Sequence, residues 1–268
     1  MGILNVTPDS FSDGGLYLNA GAAIAHGVEL AAAGAAIVDV GGESTRPGAE
    51  PVDGAEEARR VIPVVAGLAA QGVTVSIDTT KAAVARAALD AGAAMVNDVS
   101  GGVADDEMLG VVAGAGAAYV AMHMRGTPRT MQERARYDDV VDDVSRELRA
   151  RVDAALAAGI DPRALLADPG IGFAKTAEHN IALLQALPDV AARAGAPLLV
   201  GASRKSFLTR FAGGGADIAA RDDVTLATTV WAFERGAAMV RVHDVVPSRR
   251  AVELLDLMER ATPEGVAA

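Results

Sequence analysis

The sequence predicts an α/β protein built as a single (β/α)8 barrel, and three observations support this prediction. Eight short apolar runs alternate with longer amphipathic stretches along the chain. The length of 268 residues is close to the roughly 250 that one such barrel needs. Polar side chains capable of chemistry end or follow the apolar runs, where the active-site face of a barrel lies.

The eight apolar runs are the predicted strands. Near-continuous hydrophobicity over a few residues is typical of strands that are buried on both faces of a parallel sheet. The runs are residues 2–6, 36–40, 73–77, 94–97, 117–122, 165–168, 197–201 and 239–242. Eight strands that alternate with helices favour a parallel sheet closed into a barrel.

Alanine-rich amphipathic stretches between the runs are the predicted helices. They include residues 20–33, 56–70, 81–91, 138–158, 223–235 and 248–260. Left-handed C-caps are expected at the glycines that follow helical stretches, namely Gly34, Gly72, Gly92 and Gly159. No change of composition marks a second domain, so we assign residues 1–261 to the barrel and 262–268 to a frayed tail.

Composition excludes several classes of function. With 35 acidic and 24 basic residues the net charge is −11, so neither nucleic acid nor an anionic membrane is expected as a partner. The absence of cysteine excludes disulfides, thiolate metal sites and a cysteine nucleophile. No apolar run approaches the ~18 residues of a membrane span, and the first residues lack the pattern of a signal peptide. The expected location is therefore the cytoplasm.

Each of the eight strands is followed by a residue capable of binding or catalysis. These residues are Asn5, Glu43, Asp78, Asn97, His123, Asp168, Ser203 and Arg241. Packing alone does not explain why eight strands direct such side chains at one rim, so the pattern predicts an active site there.

The first two loops are long and polar. Residues 5–15 contain many turn formers, end in two glycines, and exceed the length of a minimal βα turn. Residues 41–48 combine glycines with the Thr45 hydroxyl and the Arg46 guanidinium, which suits a phosphate or carboxylate. The alternative for both loops is an ordinary solvated turn.

Asp78, Asn97 and Asp168 end strands three, four and six. Two carboxylates can accept hydrogen bonds from the N–H edge of a guanidine-like heterocycle, while an amide both donates and accepts. The alternative is that each residue caps the helix that follows it.

A basic cluster is predicted at the last two strands. Residues 203–207 read Ser-Arg-Lys-Ser-Phe, and Arg241 and His243 share one face of strand eight because they are two residues apart. Loops after strands seven and eight form the habitual phosphate site of these barrels. His123 and Arg125 are ambiguous, with structural roles in the loop as the alternative. There is no G-x-S-x-G elbow of a hydrolase and no zinc-site spacing.

The motifs, in order along the chain, resemble those of bacterial dihydropteroate synthases. The similar stretches are residues 5–15, 39–48, 76–79, 97–102, 168–175, 201–207 and 241–244. The resemblance implies the condensation of (7,8-dihydropterin-6-yl)methyl diphosphate with 4-aminobenzoate to 7,8-dihydropteroate and diphosphate, by an SN1-like path with Mg²⁺. It also implies a homodimer and competitive inhibition by sulfonamides.

The resemblance also implies roles for individual residues. The pterin is expected to contact Asp78, Asn97, Asp168 and Lys205. The diphosphate site is expected to include Asn5, Arg241 and His243, with Asn5 also a ligand of Mg²⁺, and Ser203 is expected to bind substrate. The arylamine pocket is expected to include Thr45, Pro47, Phe173 and Ser206. Asp13 and Arg46 are expected to belong to moving loops that complete the site, and the catalytic set comprises Asp13, Arg46, Asp78, Asp168 and Lys205.

Two other functions fit parts of this pattern. A pterin-binding methyltransferase barrel shares the pterin-binding carboxylates but has no use for a diphosphate site or for the first loop. A catalytically idle pterin-binding paralogue is the other alternative, although every matched position that the resemblance assigns to the site carries a chemically competent residue.

Overall fold

A computed structural model describes residues 1–7, 16–211 and 218–260 of the chain. The eight predicted strands all form, and each end agrees with its predicted run to within two residues. They are β1 (Gly2–Asn5), β2 (Val38–Gly41), β3 (Val75–Asp78), β4 (Met95–Asp98), β5 (Ala118–Met122), β6 (Leu165–Asp168), β7 (Leu199–Val200) and β8 (Met239–Val240).

The strands form a closed ring. β1 to β6 pair in parallel in sequence order, and β7 pairs in parallel with β8. Isolated parallel bridges then join Ala167 of β6 to Leu198, just before β7, and Val242, just after β8, to Gly2 of β1. At the second junction the N–H of Ile3 donates to the carbonyl of Val242 over 3.0 Å. The predicted (β/α)8 barrel is confirmed.

Helices surround the ring. Within the described ranges they are α1 (Leu16–Ala32), α2 (Gly54–Ala69), α3 (Ala82–Asp90), α4 (Met108–Ala115), α5 (Val140–Ala157), α6 (Ala177–Gln185), α7 (Leu187–Ala194), α8 (Ile218–Glu234) and α9 (Val245–Arg260). Helices α4, α6 and α7 are additional to the six stretches predicted above. None of the helices in the described part of the chain is long and apolar enough to cross a bilayer.

The glycines predicted to end helices adopt the expected backbone. Their φ angles range from 76° at Gly72 to 106° at Gly92, a region that only glycine enters without strain. Residues 8–15, 212–217 and 261–268 lie outside the described residues. The expectations for most of the first loop and for the tail at 262–268 therefore stay predictions.

The barrel interior is apolar at its centre and polar at its mouth. Met95, Val120 and Leu199 form a core cluster of their own, against which Leu166 and Met239 pack. Because these residues come from five strands of one closed ring, they fill its interior. The polar strand ends therefore lie directly above this apolar core cluster, which closes the bottom of the site.

Candidate active site at the barrel mouth

Three of the predicted polar residues lie in one row at the mouth. In the strand register Asn5 pairs with Gly41, Gly41 with Asp78, and Asp78 with Asn97. Paired positions of neighbouring parallel strands carry their side chains on the same face of the sheet. The fold therefore brings Asn5, Asp78 and Asn97 together, with Gly41 leaving open space between the first two.

Arg241 joins this row from the end of β8. Its Nε donates to Oδ2 of Asp39 over 2.6 Å, and its Nη2 donates to Oδ2 of Asp78 over 2.8 Å. Nδ2 of Asn97 donates to the same Asp39 oxygen over 2.9 Å. A hydrogen-bonded cluster therefore links four strands across the interior of the barrel.

Asp39 is a member of this cluster to which the sequence analysis gave no role. Its side chain is completely buried, and its Oδ1 has no hydrogen-bond partner among the described residues. A signal for it did exist, since Asp39 is a carboxylate inside the otherwise apolar run 36–40. A carboxylate buried in such a strand is costly without a cation or donor, so its presence implies an interior partner.

The carboxyl groups of Asp78 and Asp168 at the mouth both have raised pKa values. Burial raises the pKa of Asp78 to about 7, with Arg241 acting in the opposite direction and Asp39 reinforcing the rise. Burial also raises the pKa of Asp168 to about 6, although the N–H of Gly170 donates to its Oδ1 over 2.7 Å. A ligand that brings N–H donors would favour the ionised form of both groups.

The alternative role of helix capping does not apply to the three strand-end residues. The helices that follow them begin after other N-cap residues, namely Lys81, Glu107 and Thr176. None of the three side chains caps the helix that follows it. Of the three, only Asp168 accepts a hydrogen bond from the backbone of its own turn, from the N–H of Gly170.

Lys205 and Phe173 lie together beside Asp168. The Lys205 ammonium is 3.8 Å from the centroid of the Phe173 ring, in a cation–π contact. Gly172, with φ of 82°, makes room for the lysine, since a Cβ there would lie 2.8 Å from its Cδ. Burial lowers the pKa of Lys205 to about 8, helped by the charge of Arg241 and opposed by Asp168.

The turn that carries Lys205 is held in an uncommon conformation. Arg204 has φ of 58°, a left-handed value that is costly for a non-glycine residue. Two 2.7 Å hydrogen bonds tie its guanidinium to Asp222, and its N–H donates to Oγ1 of Thr225 over 3.1 Å. These contacts fix the backbone between Ser203 and Lys205.

Ser203 and His243 face each other across β7 and β8. Oγ of Ser203 is 2.9 Å from Nδ1 of His243 and accepts from its main-chain N–H over 3.2 Å. Burial and the charges of Arg204 and Arg241 lower the pKa of His243 to about 3, so the ring is neutral near pH 7. Ser206 is different, since it is exposed at the start of a short 3-10 turn.

The second loop is anchored at its base and open at its tip. Oε2 of Glu43 accepts from the N–H of Val52 over 3.3 Å and from the Lys81 ammonium, which also donates to buried Glu57 over 2.6 Å. The tip of the loop consists of Thr45, Arg46 and Pro47, of which Arg46 and Pro47 are exposed. The side chains of these three residues form no hydrogen bond or ion pair with any described residue.

Asn5 is the one residue that the sequence analysis named as a ligand of Mg²⁺, and it lies within the described ranges. Its side-chain amide accepts or donates no hydrogen bond with the described residues, so its oxygen is available. The described ranges contain no group of three or more His, Cys, Asp and Glu side chains arranged to hold a metal ion. Asp13 lies outside the described residues.

His123 and Arg125, ambiguous in the sequence, belong to one network, in which His123 is buried and Arg125 is partly exposed. Nε2 of His123 is 2.9 Å from Oε2 of Glu147, and Nε of Arg125 donates to the same carboxylate over 3.1 Å. Burial opposes the ionisation of Glu147, but these two hydrogen bonds hold its pKa well below its usual range. Arg125 also stacks on Tyr137, with its guanidinium carbon 4.1 Å from the ring centroid.

Comparison with known proteins matches almost the whole chain to one family of enzymes. A family model described as "Pterin binding enzyme" matches residues 1–243. The dihydropteroate synthase of Mycobacterium leprae is 53% identical over 270 residues, which cover 98% of this chain and 94% of that protein. That of Synechocystis is 47% identical and covers 97% of this chain and 90% of its own length.

Solved structures agree with the barrel. The Xanthomonas albilineans dihydropteroate synthase with 4-aminobenzoic acid superposes with a TM-score of 0.90 at 44% identity, covering 98% of this chain and 93% of that one. The Yersinia pestis enzyme in a sulfonamide drug complex gives 0.89 at 41% identity, covering 97% and 94%. These matches favour a synthase over a methyltransferase. The chain belongs to the dihydropteroate synthase family of pterin-binding enzymes.

Proposed function

We propose that this chain joins (7,8-dihydropterin-6-yl)methyl diphosphate to 4-aminobenzoate, as a dihydropteroate synthase of folate synthesis. One observation carries the proposal beyond family membership. Two carboxyl groups with raised pKa, Asp78 and Asp168, share the barrel mouth with the Asn97 amide and the Lys205 ammonium. Next to them lie the neutral His243 and the strand-end Arg241, which suit an anion.

The two carboxyl groups fit the pterin end of the substrate. A pterin presents ring N–H and amino donors along one edge and a carbonyl oxygen beside them. Carboxylates accept from the donors, and an ammonium such as Lys205 donates to the carbonyl. Because burial raises the pKa of both Asp78 and Asp168, hydrogen bonds from the bound pterin would favour the ionised form of the two groups.

The same carboxylates favour the reaction. When the bond between the pterin methylene and the diphosphate oxygen breaks, positive charge develops on the methylene and spreads into the ring. Asp78 and Asp168 lower the energy of that charge in a site shielded from water. The arylamine nitrogen then forms the new bond to the methylene carbon and loses one proton, so no nucleophile from the protein is needed.

The diphosphate end fits the residues of β7 and β8. Nε and Nη2 of Arg241 donate to Asp39 and Asp78. Its Nη1 donates to no described residue and is available to an anionic ligand. Ser203 Oγ and the His243 ring offer further polar contacts, and the neutral ring brings no charge of its own. Donors fixed before the reaction stabilise the negative charge that develops on the leaving oxygen.

Mg²⁺ fits the donor set in a limited way. The Asn5 side chain offers one hard oxygen, and this ion commonly takes one or two protein ligands together with substrate phosphates and water. When bound there it would neutralise charge on the departing diphosphate. Asn5 would hold the ion at the end of β1, beside Gly41 of β2.

The arylamine pocket is proposed to lie between Phe173, Ser206 and the tip of the second loop at Thr45 and Pro47. The X. albilineans structure with 4-aminobenzoic acid and the Y. pestis sulfonamide complex support this use of the fold in relatives. Closure of the loop that carries Arg46 would exclude water, which otherwise captures the pterin cation. Sulfonamides are accordingly proposed as competitive inhibitors.

A direct assay tests the proposed function. Purified protein is incubated with the pterin diphosphate, 4-aminobenzoate and Mg²⁺, and 7,8-dihydropteroate and diphosphate are measured. Equimolar appearance of both products is expected. Absence of product from folded protein would overturn the activity and favour an idle pterin-binding paralogue, which ligand binding without turnover would identify.

A homodimer and a cytoplasmic location complete the proposal. Helix α9 exposes apolar side chains at Leu254, Leu257 and Met258, each more than half accessible in the single chain. Exposed apolar patches of this kind often mark protein interfaces. Analytical ultracentrifugation tests the dimer, with a charged substitution at Leu257 expected to shift the protein to monomer. Cell fractionation tests the location.

A further inference from the structure

The distribution of lysine along this chain is unusual. The sequence has 24 lysines and arginines together, but lysine occurs only at positions 81, 175 and 205. All three follow strands at the mouth of the barrel, after β3, β6 and β7. Lys205 belongs to the proposed pterin site and Lys81 to the base of the second loop, whereas Lys175 has no part in the proposed mechanism.

Lys175 is a buried lysine that contacts no carboxylate of the described residues directly. Only 4% of the residue is exposed. Its Nζ donates to the main-chain carbonyl of Phe173 over 3.0 Å and lies 3.0 Å from Nδ1 of His123. Burial lowers the pKa of Lys175 to about 7, with the negative charge of Asp168 acting against that change.

The contact with Lys175 sets the state of His123. Glu147 has a lowered pKa and is an ionised carboxylate, so Nε2 of His123 carries the proton and donates it to Glu147. Nδ1 of the neutral ring then accepts from Nζ of Lys175. Burial and the charge of Lys175 lower the pKa of His123 to about 3, so the ring stays neutral. A continuous chain of hydrogen bonds therefore runs from Phe173 through Lys175 and His123 to Glu147 in the middle of α5.

The backbone between Phe173 and Lys175 is strained. Ala174, between Phe173 and Lys175, has φ of 49°, in the left-handed region that a non-glycine residue rarely enters. Such a conformation persists only where surrounding contacts enforce it. Tyr137 donates to the Ala174 carbonyl over 2.9 Å, and Lys175 secures the preceding carbonyl.

The Phe173 ring is the point where this network meets the site, because the Lys205 ammonium rests on it. We propose that Lys175 is a positioning residue, whose ammonium fixes the Phe173 carbonyl and thereby the ring that supports Lys205 and borders the arylamine pocket. The proposal rests on the proposed function for the identity of that pocket. A guanidinium is larger and planar, which explains why lysine occupies this enclosed position.

Two measurements on Lys175→Met test the proposal. The methionine keeps the length of the chain and removes the donor. With wild-type enzyme shown to form pteroate, the variant is expected to raise KM for 4-aminobenzoate about tenfold. KM for the pterin diphosphate should rise several-fold less, because Asp78, Asn97 and Asp168 still bind the pterin when Lys205 loses its support. An inactive wild-type protein would contradict the proposed function. In that case the second measurement alone tests whether Lys175 positions Phe173.

The second measurement needs no turnover. Protein carrying ¹³C at the ε carbon of lysine gives few signals, assigned through the single variants. The ε protons of Lys205 should show an upfield shift from the Phe173 ring beneath them, and Lys175→Met should remove much of that shift. Tyr137→Phe is the matched control, since it deletes a hydrogen bond to the neighbouring carbonyl while Phe173 stays held; the shift and the arylamine KM should both persist.

Several outcomes overturn the proposal. They are an unchanged Lys205 signal in folded Lys175→Met, an equal rise in both KM values, or an equal effect of Tyr137→Phe. Lys175→Gln, which retains a neutral donor, serves if the methionine variant does not fold. Failure of both variants to fold would assign Lys175 to general stability rather than to positioning.

Discussion

Oδ2 of Asp39 lies 2.6 Å from Nε of Arg241, inside the barrel and below the mouth. Asp39 has no exposed surface, whereas a fifth of the Arg241 side chain remains accessible. The carboxylate thus holds the guanidinium from below and leaves its outer edge towards the ligand side. An interior ion pair of this kind fixes direction more than it adds stability, because both groups lose hydration on burial.

Replacement of Asp39 by Asn should therefore impair both stability and function. The amide keeps the shape but leaves Arg241 with Asp78 as its sole acidic hydrogen-bond partner among the described residues. We expect a loss of about 2–4 kcal/mol in the free energy of unfolding, because one charge of a buried pair is removed. We also expect kcat/KM for the pterin diphosphate to fall at least about tenfold. Urea denaturation and steady-state kinetics measure the two effects, and a variant as active as the wild type would argue against this role.

Asp39 also illustrates what the sequence could and could not predict. The eight strands were predictable because strands buried on both faces need continuous apolar runs, and their polar ends identified the mouth. Asp39 was inside such a run, so its partner had to come from another strand. Sequence spacing does not reveal that Arg241, 202 residues later, reaches it.

The fate of His123 was unpredictable for a related reason. Its ring is completely buried between Glu147 and Lys175, which come from a helix and a loop far along the chain. Such networks depend on the packing of elements against each other, whereas sequence patterns report mainly on periodicity within one element. The resemblance, by contrast, pointed to residues that the fold does bring together, namely Asp78, Asn97 and Lys205.

Asp168→Asn should lose far more turnover than stability. The side chain accepts one short hydrogen bond from Gly170, which an amide oxygen can also accept. The charge that would stabilise the cationic pterin is lost, so we expect kcat/KM to fall about 10²-fold or more. Circular dichroism should show a folded protein. An unchanged kcat/KM would remove Asp168 from the pterin site.

The same variant should reveal the raised pKa of Asp168 through the pH dependence of stability. The folded pKa of about 6 lies above the ordinary value near 3.9, so the folded state holds this proton more tightly. The resulting stability is complete below about pH 4 and is lost as the pH rises through about 6. Relative to Asp168→Asn, the wild type should therefore lose up to about 3 kcal/mol between these limits. Denaturation of both proteins from pH 4 to pH 8 measures the difference; a flat difference would show that the carboxyl is not perturbed.

Lys81 offers a test of how the second loop is anchored. Its ammonium bridges Glu43 in that loop and Glu57 in α2, and Glu57 is completely buried with one oxygen unpaired among the described residues. Removing the cation in Lys81→Met should leave a buried carboxylate uncompensated, at a cost of about 3 kcal/mol in the free energy of unfolding. Turnover should fall because the base of the loop loosens, while pterin affinity stays close to that of the wild type.

A double-mutant cycle separates the pair from the general cost of substitution. Glu57→Gln removes the charge that Lys81 balances, so adding it to Lys81→Met should restore part of the lost stability. We expect a coupling energy of about 1–3 kcal/mol between the two positions, measured by urea denaturation. Arg59→Met, which removes an exposed cation from the same helix α2, is the matched control and should change stability by less than about 1 kcal/mol. Strictly additive effects at Lys81 and Glu57 would show that the two side chains are not coupled and that Lys81 does not compensate the buried carboxylate.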